Sequence, residues 1–392
     1  MKLKLQRQPL DTLLLTIIIM LMGLGVTTLL SASFSLAEVT YQTPYYYFFS
    51  QLKHLGLGCV MMLILSQIPY NFFVRFSELL GIFALLLLVL ILVPGMAREV
   101  KGAGRWMILV PFQPSEATKL AVVVFLARYF SMNKDSIHKF WYGFVVPSLV
   151  MVLACGLIVL EKDLGGAIVV FVIVTLMMLA AGVRLWNFAF FISLVPLVMV
   201  LINIYKHRIS RVISWLDPWS APQAGGFSII HSFYAFANGG LFGAGPGEGQ
   251  QKMFFLPEVH TDYIFSILGE ELGLVGVIAT CLLFLGLAYR GFMIARAAKN
   301  LSGFHTAIGM TLTILVPACI NMCVAVSLIP AKGLPLPFFS YGGSSLIVSC
   351  TAIGILLNVS AQSQSAAQND RLNMPLVVKP YVKSEHIGVR SS

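Results

Sequence analysis

The sequence predicts an all-α, polytopic integral membrane protein with about ten transmembrane helices and one long extracytoplasmic loop between helices 7 and 8. Three observations carry this. The 392 residues are 58% hydrophobic and 11% charged, with a mean hydropathy of +0.87, which is too apolar for a soluble protein. The apolar residues gather in runs of about 17 to 25, long enough to cross a bilayer as helices. No alternating pattern of barrel strands competes with them.

The runs fall near 12–32, 50–68, 76–94, 115–131, 141–159, 164–182, 186–204, 263–289, 304–328 and 342–359. Lys2, Lys4 and Arg7 precede the first, whose apolar core is too long for a cleaved signal peptide, so it reads as an uncleaved span. An even number of spans puts both termini on one side. The opposite face carries nearly as many basic residues as the loops with Arg75, Arg128, Arg184, Arg290 and Arg296, but most of them lie in two long loops, so the positive-inside rule favours the cytoplasm for the termini. Residues 1–360 then form one membrane domain, and 361–392, polar and without apolar periodicity, a disordered cytoplasmic tail. The net charge of +10 is scattered through short loops without a basic stripe, which argues against nucleic acid. All six cysteines sit inside apolar runs with no CxxC spacing, so neither disulfides nor a zinc site is expected.

Ionisable residues at membrane depth point to function. In GAGRWMILVPFQPSEATKL, residues 102–120, Pro114 and Ser115 suit a helix start, and Glu116 and Lys119 share a face as an ion pair or as part of a polar cavity. Arg105 beside Trp106 suits an interfacial anchor or a phosphate contact. The turn EKDLGGA carries Glu161 and Asp163 and by itself reads as a solvated turn with a helix cap. Arg208 and Arg211 lie on one face near Trp215, as lipid headgroup contacts or anchors.

The most informative stretch is GAGPGEGQQKMFFLPEVHTDYIFSILGEELGL, residues 243–274. Its glycines suit a flexible loop or a backbone cradle for phosphate. Lys252 is a candidate anion contact, and Glu258, His260 and Asp262 sit where the loop enters the eighth span. With Asp262 opening that helix, Glu270 lies about 80° and Glu271 about 180° around from it. Asp262 and Glu270 are therefore expected in one cavity and Glu271 against another helix. AKGLPLPFFSYGGSS, residues 331–345, brings Lys332, Ser340 and Tyr341 to the outer end of the last span, where its prolines forbid a regular helix.

The combination of QPSEATKL, the acidic DLG turn, LPEVHTDYIFSILGEELG and KGLPLPFFSYGGSS resembles the SEDS family (shape, elongation, division and sporulation), across essentially all ten spans. Lys252 and Lys332 make it look more like the cell-division branch than the elongation branch. The resemblance implies a peptidoglycan glycosyltransferase that polymerises lipid II at the outer face of the bacterial cytoplasmic membrane. For that chemistry Asp262 is the candidate catalytic base, and Arg105, Glu116, Lys119, Arg208, Arg211, Lys252, Glu258, His260, Glu270, Lys332 and Ser340 are candidates for binding substrate or lining its cavity. A class B penicillin-binding protein is the implied partner. No metal motif is present, and a divalent cation, Mg or Mn, is left open as a cofactor. One departure stands out: GGFSIIHS carries Ser228 and His231 where the family usually has glutamines. A lipid II flippase is the competing reading, disfavoured because the candidate charges concentrate toward one face.

Overall fold

The computed structural model describes residues 11–100, 103–108, 112–193, 213–223, 225–253, 255–331 and 333–372. Among the described residues, the regular structure is helical except for one hairpin. In order the elements are α1 (Thr12–Tyr41), α2 (Tyr46–Gln67), α3 (Tyr70–Arg75), α4 (Ser77–Ile91), β1 (Ala97–Val100), β2 (Ala103–Met107), α5 (Pro114–Met132), α6 (Val146–Leu160), α7 (Leu164–Ala180), α8 (Ala189–Ser193), α9 (Phe227–Gly239), α10 (Ile264–Arg296), α11 (Leu301–Ala325) and α12 (Gly343–Leu372).

Six described helical segments are long and apolar enough to span a bilayer: those of α1, α2, α6 with its preceding turn, α10, α11 and α12. α4 and α7 are shorter apolar helices. α5 runs for 19 residues and carries Glu116, Lys119 and Arg128 among its apolar residues. These nine match nine of the predicted spans; the other, 186–204, lies mostly outside the described residues, as do residues 1–10. The chain is a multi-pass membrane protein, and its apolar outer surface shows why: Leu63, Ile82, Phe83, Leu86, Leu149 and Val152 are exposed on α2, α4 and α6. Such a surface, on helices of this length and hydropathy, suits lipid.

α12 occupies the centre. Cys350, Ala352, Ile353 and Leu356 are fully buried there. Its far end is tied by polar side chains. Asn358 accepts from the Tyr70 amide at 2.8 Å and donates to the Ser66 carbonyl at 2.8 Å. Asp11 caps α1, accepts from Ser360 Oγ at 2.9 Å and pairs with Arg290 at 2.9 Å. The starts of α1 and α3 and the far parts of α10 and α12 thus meet at one end of the bundle. The helix does not stop near Asn358, as the composition of the tail suggested, but continues to Leu372. Side-chain bonds one turn apart, such as Gln362 to Asn358 at 2.7 Å, and good helix formers carry it on. Residues 373–392 lie outside the described residues.

At the opposite end, the expected open loop of 205–262 has internal structure. α9 packs on α10, and the glycine segment after it enters a break in α10 at Gly273, whose φ of 63° and ψ of −163° suit only glycine. In an unbroken helix the amides of Leu274 and Val275 would donate to the carbonyls of Glu270 and Glu271. Here they donate to Gly240 and Leu241, at 3.0 and 3.2 Å, while Ala244 and Gly245 donate to Glu270 and Glu271, at 2.9 and 3.1 Å. The intruding segment therefore satisfies all four groups that the break sets free. In apolar surroundings they would otherwise be costly. Gly243 is required by contact as well: a Cβ there would lie 2.1 Å from the Glu271 carbonyl oxygen.

Candidate functional site

Four segments converge at the loop end of the bundle. The β1–β2 hairpin delivers Arg105 and Trp106, and Gln113 precedes α5, whose first turn carries Glu116. The tight turn between α6 and α7 presents Asp163, which caps α7 through the Gly166 amide at 3.0 Å. The turn before α10 presents Glu258 and Asp262, with Glu258 itself in the left-handed region at φ 54° and its carbonyl accepting from the Thr261 and Asp262 amides. The proline-rich 333–342 segment closes the fourth side. Together they enclose a cavity of about 680 Å³, whose wall includes Arg105, Glu116, Asp163, Glu258, Asp262 and Tyr341.

Asp163 is the hub of one wall. It accepts from Gln113 Nε2 at 3.0 Å and Ser115 Oγ at 3.4 Å, and Arg105 Nη1 stands 3.6 Å from its Oδ1. The same guanidinium donates to the Lys162 carbonyl at 2.6 Å, fixing the cation over the cavity. Next to it, burial pushes the Glu161 carboxyl up to about 8, with Asp163 adding to the shift and Arg105 opposing it. Lys119 Nζ donates to Glu116 Oε1 at 2.8 Å, both buried. Asp262, from the turn before α10, also lines the chamber and is half-buried. Its carbonyl accepts from Asn321 at 3.0 Å, which ties the turn to α11, and its carboxylate lies beside Gly333, where a Cβ would come within 3.4 Å of Oδ2. A cation and a carboxylate thus line one chamber where the bundle meets its loops.

Of the residues singled out from sequence, Arg105, Glu116, Glu258 and Asp262 line this chamber, and Lys119 stands behind Glu116. Others do not line it. Asp262 lies outside the helix, which begins at Ile264, so the angle drawn from Asp262 to Glu270 does not apply. Glu270 turns to the glycine segment and accepts from the amides of Gln250 at 3.0 Å and Gln251 at 3.1 Å. Glu271 does face another helix, accepting from Ser31 Oγ of α1 at 2.5 Å. Lys252 pairs with Glu271 rather than pointing into the chamber. In the glycine segment, which the sequence offered as a phosphate cradle, the amides of Gly243, Ala244 and Gly245 are bonded within the protein and are not open to an anion. Ser340 is a bracket: it donates to the Thr261 carbonyl at 2.5 Å and accepts from the Leu336 amide at 2.8 Å. His260 packs its ring on Tyr47, and its carbonyl accepts from the Tyr341 amide at 2.8 Å. Arg208, Arg211 and Lys332 lie outside the described residues.

Asp163 and Gln113, which the sequence did not mark as candidates for the site, also line the chamber. Asp163 is the cap that the turn suggested, but the fold also brings it to Arg105. Its signal was the DLG motif already visible in the family resemblance. Of the two residues that depart from the family pattern, Ser228 lines the chamber, and His231 Nδ1 lies 2.7 Å from Gln251 Oε1, away from it. Among the described residues, no group of three or more His, Cys, Asp or Glu side chains is arranged to hold a metal ion.

Residues 11–365 match the family model described as cell cycle protein, FTSW_RODA_SPOVE. The chain is 39% identical over 354 residues to the probable peptidoglycan glycosyltransferase FtsW of Trichlorobacter lovleyi, covering 90% of this chain and 93% of that protein. It is 39% identical to stage V sporulation protein E of Bacillus subtilis, covering 90% and 98%. Among solved structures, a chain of a peptidoglycan synthase complex that coordinates polymerization and crosslinking superimposes with a TM-score of 0.74, at 29% identity, covering 90% of this chain and 98% of that one. The rod shape determining protein RodA of Thermus thermophilus superimposes with a TM-score of 0.65, at 29% identity, covering 90% and 96%.

Proposed function

The chain belongs to the FtsW/RodA/SpoVE family of cell cycle proteins, and from that premise we infer that it is a peptidoglycan glycosyltransferase whose substrate is lipid II. Its seat is the bacterial cytoplasmic membrane, with both termini in the cytoplasm and the chamber open to the outer face. Its role is septal wall synthesis during cell division, in keeping with relatives named FtsW. The observation that carries the reading is the chamber at the loop end of the bundle, with Asp262 on one wall and Arg105 on another.

The chemistry follows from the substrate. An undecaprenyl-pyrophosphate-linked sugar has a tail suited to lipid, an anionic headgroup and hydroxyls that belong in water. Extending a β-1,4-linked glycan requires an acceptor hydroxyl to attack the anomeric carbon of a donor and displace lipid pyrophosphate. Asp262 takes the hydroxyl proton as general base, a role that typically contributes about 10²- to 10⁴-fold. Glycosidases generally need a second carboxyl group to protonate their leaving group. Pyrophosphate leaves already charged, so a cation serves instead, and Arg105, held by Asp163 and the Lys162 carbonyl, is the described cation that lines the chamber. One in-line displacement inverts the anomeric configuration. Crosslinking is left to a class B penicillin-binding protein partner.

The test is polymerisation of lipid II by the purified full-length protein with such a partner, in detergent. Asp262→Asn should lower polymer formation at least about 100-fold while insertion and yield persist; full activity would remove Asp262 from the base role. Polymer formed in detergent, with no second compartment, also separates a polymerase from a flippase.

A further inference from the structure

The stretch TYQTPYYYFF, residues 40–49, joins α1 to α2 beside the chamber, and no role described so far uses it. Its rings sort into two rows. Tyr45 packs with Phe34 and Phe49, at 5.9 and 6.3 Å between ring centres, forming a largely hydrocarbon edge. The other row is made of tyrosines. Tyr41 and Tyr46 stack at 3.8 Å with an interplanar angle of 11°, and both meet Tyr47, at 5.7 and 5.5 Å. Tyr47 in turn contacts Tyr341 at 4.9 Å, edge to face, and the His260 ring at 4.9 Å. Tyr341 is a chamber wall residue, and its hydroxyl is held 3.0 Å from Ser50 Oγ. A continuous chain of ring contacts, edge to face at Tyr47 and stacked between Tyr41 and Tyr46, therefore leads away from the chamber, and it ends on rings that are 42% (Tyr41) and 43% (Tyr46) exposed.

We propose that Tyr41, Tyr46 and Tyr47 form a shelf that binds the carbohydrate strand as it leaves the chamber, an inference that rests on the glycosyltransferase reading. The ligand class follows from the surface. A pyranose ring has one face of C–H groups that packs on an aromatic ring, and hydroxyls at its rim that bond to phenol groups; tyrosine supplies both, with two side-chain torsions to fix. A hydrophobic anchor would need only the Phe34, Tyr45 and Phe49 row. The tyrosine row is instead continuous with the polar chamber through Tyr341, and a polymerase must hold its product there between additions to avoid releasing short chains.

The experiment uses the full-length protein in detergent and a lipid-free β-1,4-linked N-acetylhexosamine tetrasaccharide, followed by intrinsic fluorescence or calorimetry. Paired with it is the length distribution of glycan made from lipid II. Tyr41→Ala with Tyr46→Ala, at exposed rings, should weaken tetrasaccharide binding about tenfold, the scale of losing two stacking contacts, and shorten the strands. Tyr45→Ala with Phe49→Ala, in the other row, should change neither. Wild-type protein that does not bind the tetrasaccharide, or a tyrosine double variant that binds it unchanged, overturns the shelf. So does a double variant altered only in its affinity for lipid vesicles, which would make the row a membrane anchor. Because the binding measurement needs no turnover, a wild-type protein that binds the tetrasaccharide but makes no polymer would count against the polymerase reading alone.

Discussion

Lys252 Nζ lies 2.6 Å from Glu271 Oε1, with both side chains buried, and the same ammonium donates to Ser31 Oγ at 2.7 Å and to the Gly247 carbonyl at 2.6 Å. This pair joins the loop, the broken helix α10 and α1 at one point. Removing one partner of a buried pair leaves a charge without compensation and costs about 3–5 kcal/mol, whereas replacing both by apolar groups is often neutral. Lys252→Met should therefore lower the melting temperature in detergent markedly, and Lys252→Met with Glu271→Met should recover most of the loss. A double variant no better than the single would show that the charges themselves hold the loop.

Gly273 is the residue at which α10 lets the loop in. An alanine Cβ there would lie 2.3 Å from the Gly243 nitrogen, in a backbone region that only glycine enters readily. Gly273→Ala should cost more than about 4 kcal/mol and abolish the monodisperse peak in size-exclusion chromatography. Gly81→Ala, with open space around a helical glycine, should be neutral or stabilising by about 0.5–1 kcal/mol.

Glu116 and Lys119 pair on one helix face, but only Glu116 lines the chamber. Reversing either charge should both destabilise the protein and impair polymerisation. The double swap, Glu116→Lys with Lys119→Glu, should restore more than half of the lost thermal stability while polymerisation stays low, since the carboxylate then stands one turn away. Recovery of both together would make the pair purely structural.

Glu161 sets a pH dependence of stability. Its carboxyl is raised from 4.5 to about 8 by burial first and by Asp163 second, so the neutral form is favoured in the folded protein. The contribution is fully present below pH 4.5 and is lost as the pH rises toward 8. The melting temperature should fall across that window, and Glu161→Gln, always neutral, should flatten the fall. An unchanged slope in the variant would assign it to another group.

Much of the site was legible locally. Pro114 and Ser115 start α5 where the sequence said, which puts Glu116 and Lys119 on one face, and Glu271 faces another helix as expected. Glu270 was misjudged because its angle was counted from Asp262, two residues before the helix begins. Lys252 was read as an anion contact because its partner is 19 residues away, beyond any local pattern.

By itself the sequence determined the membrane class, nine of the described helical runs and the family, because hydrophobic run length and contiguous motifs are properties of neighbouring residues. Only the tertiary structure decided that the glycine segment completes a broken helix, and that Arg105 meets Asp163 across 58 positions in the wall of the chamber that Asp262 also lines. The physical reason is that backbone groups set free inside an apolar bundle must find partners wherever the packing brings them, and no local pattern of residues encodes which distant segment that will be.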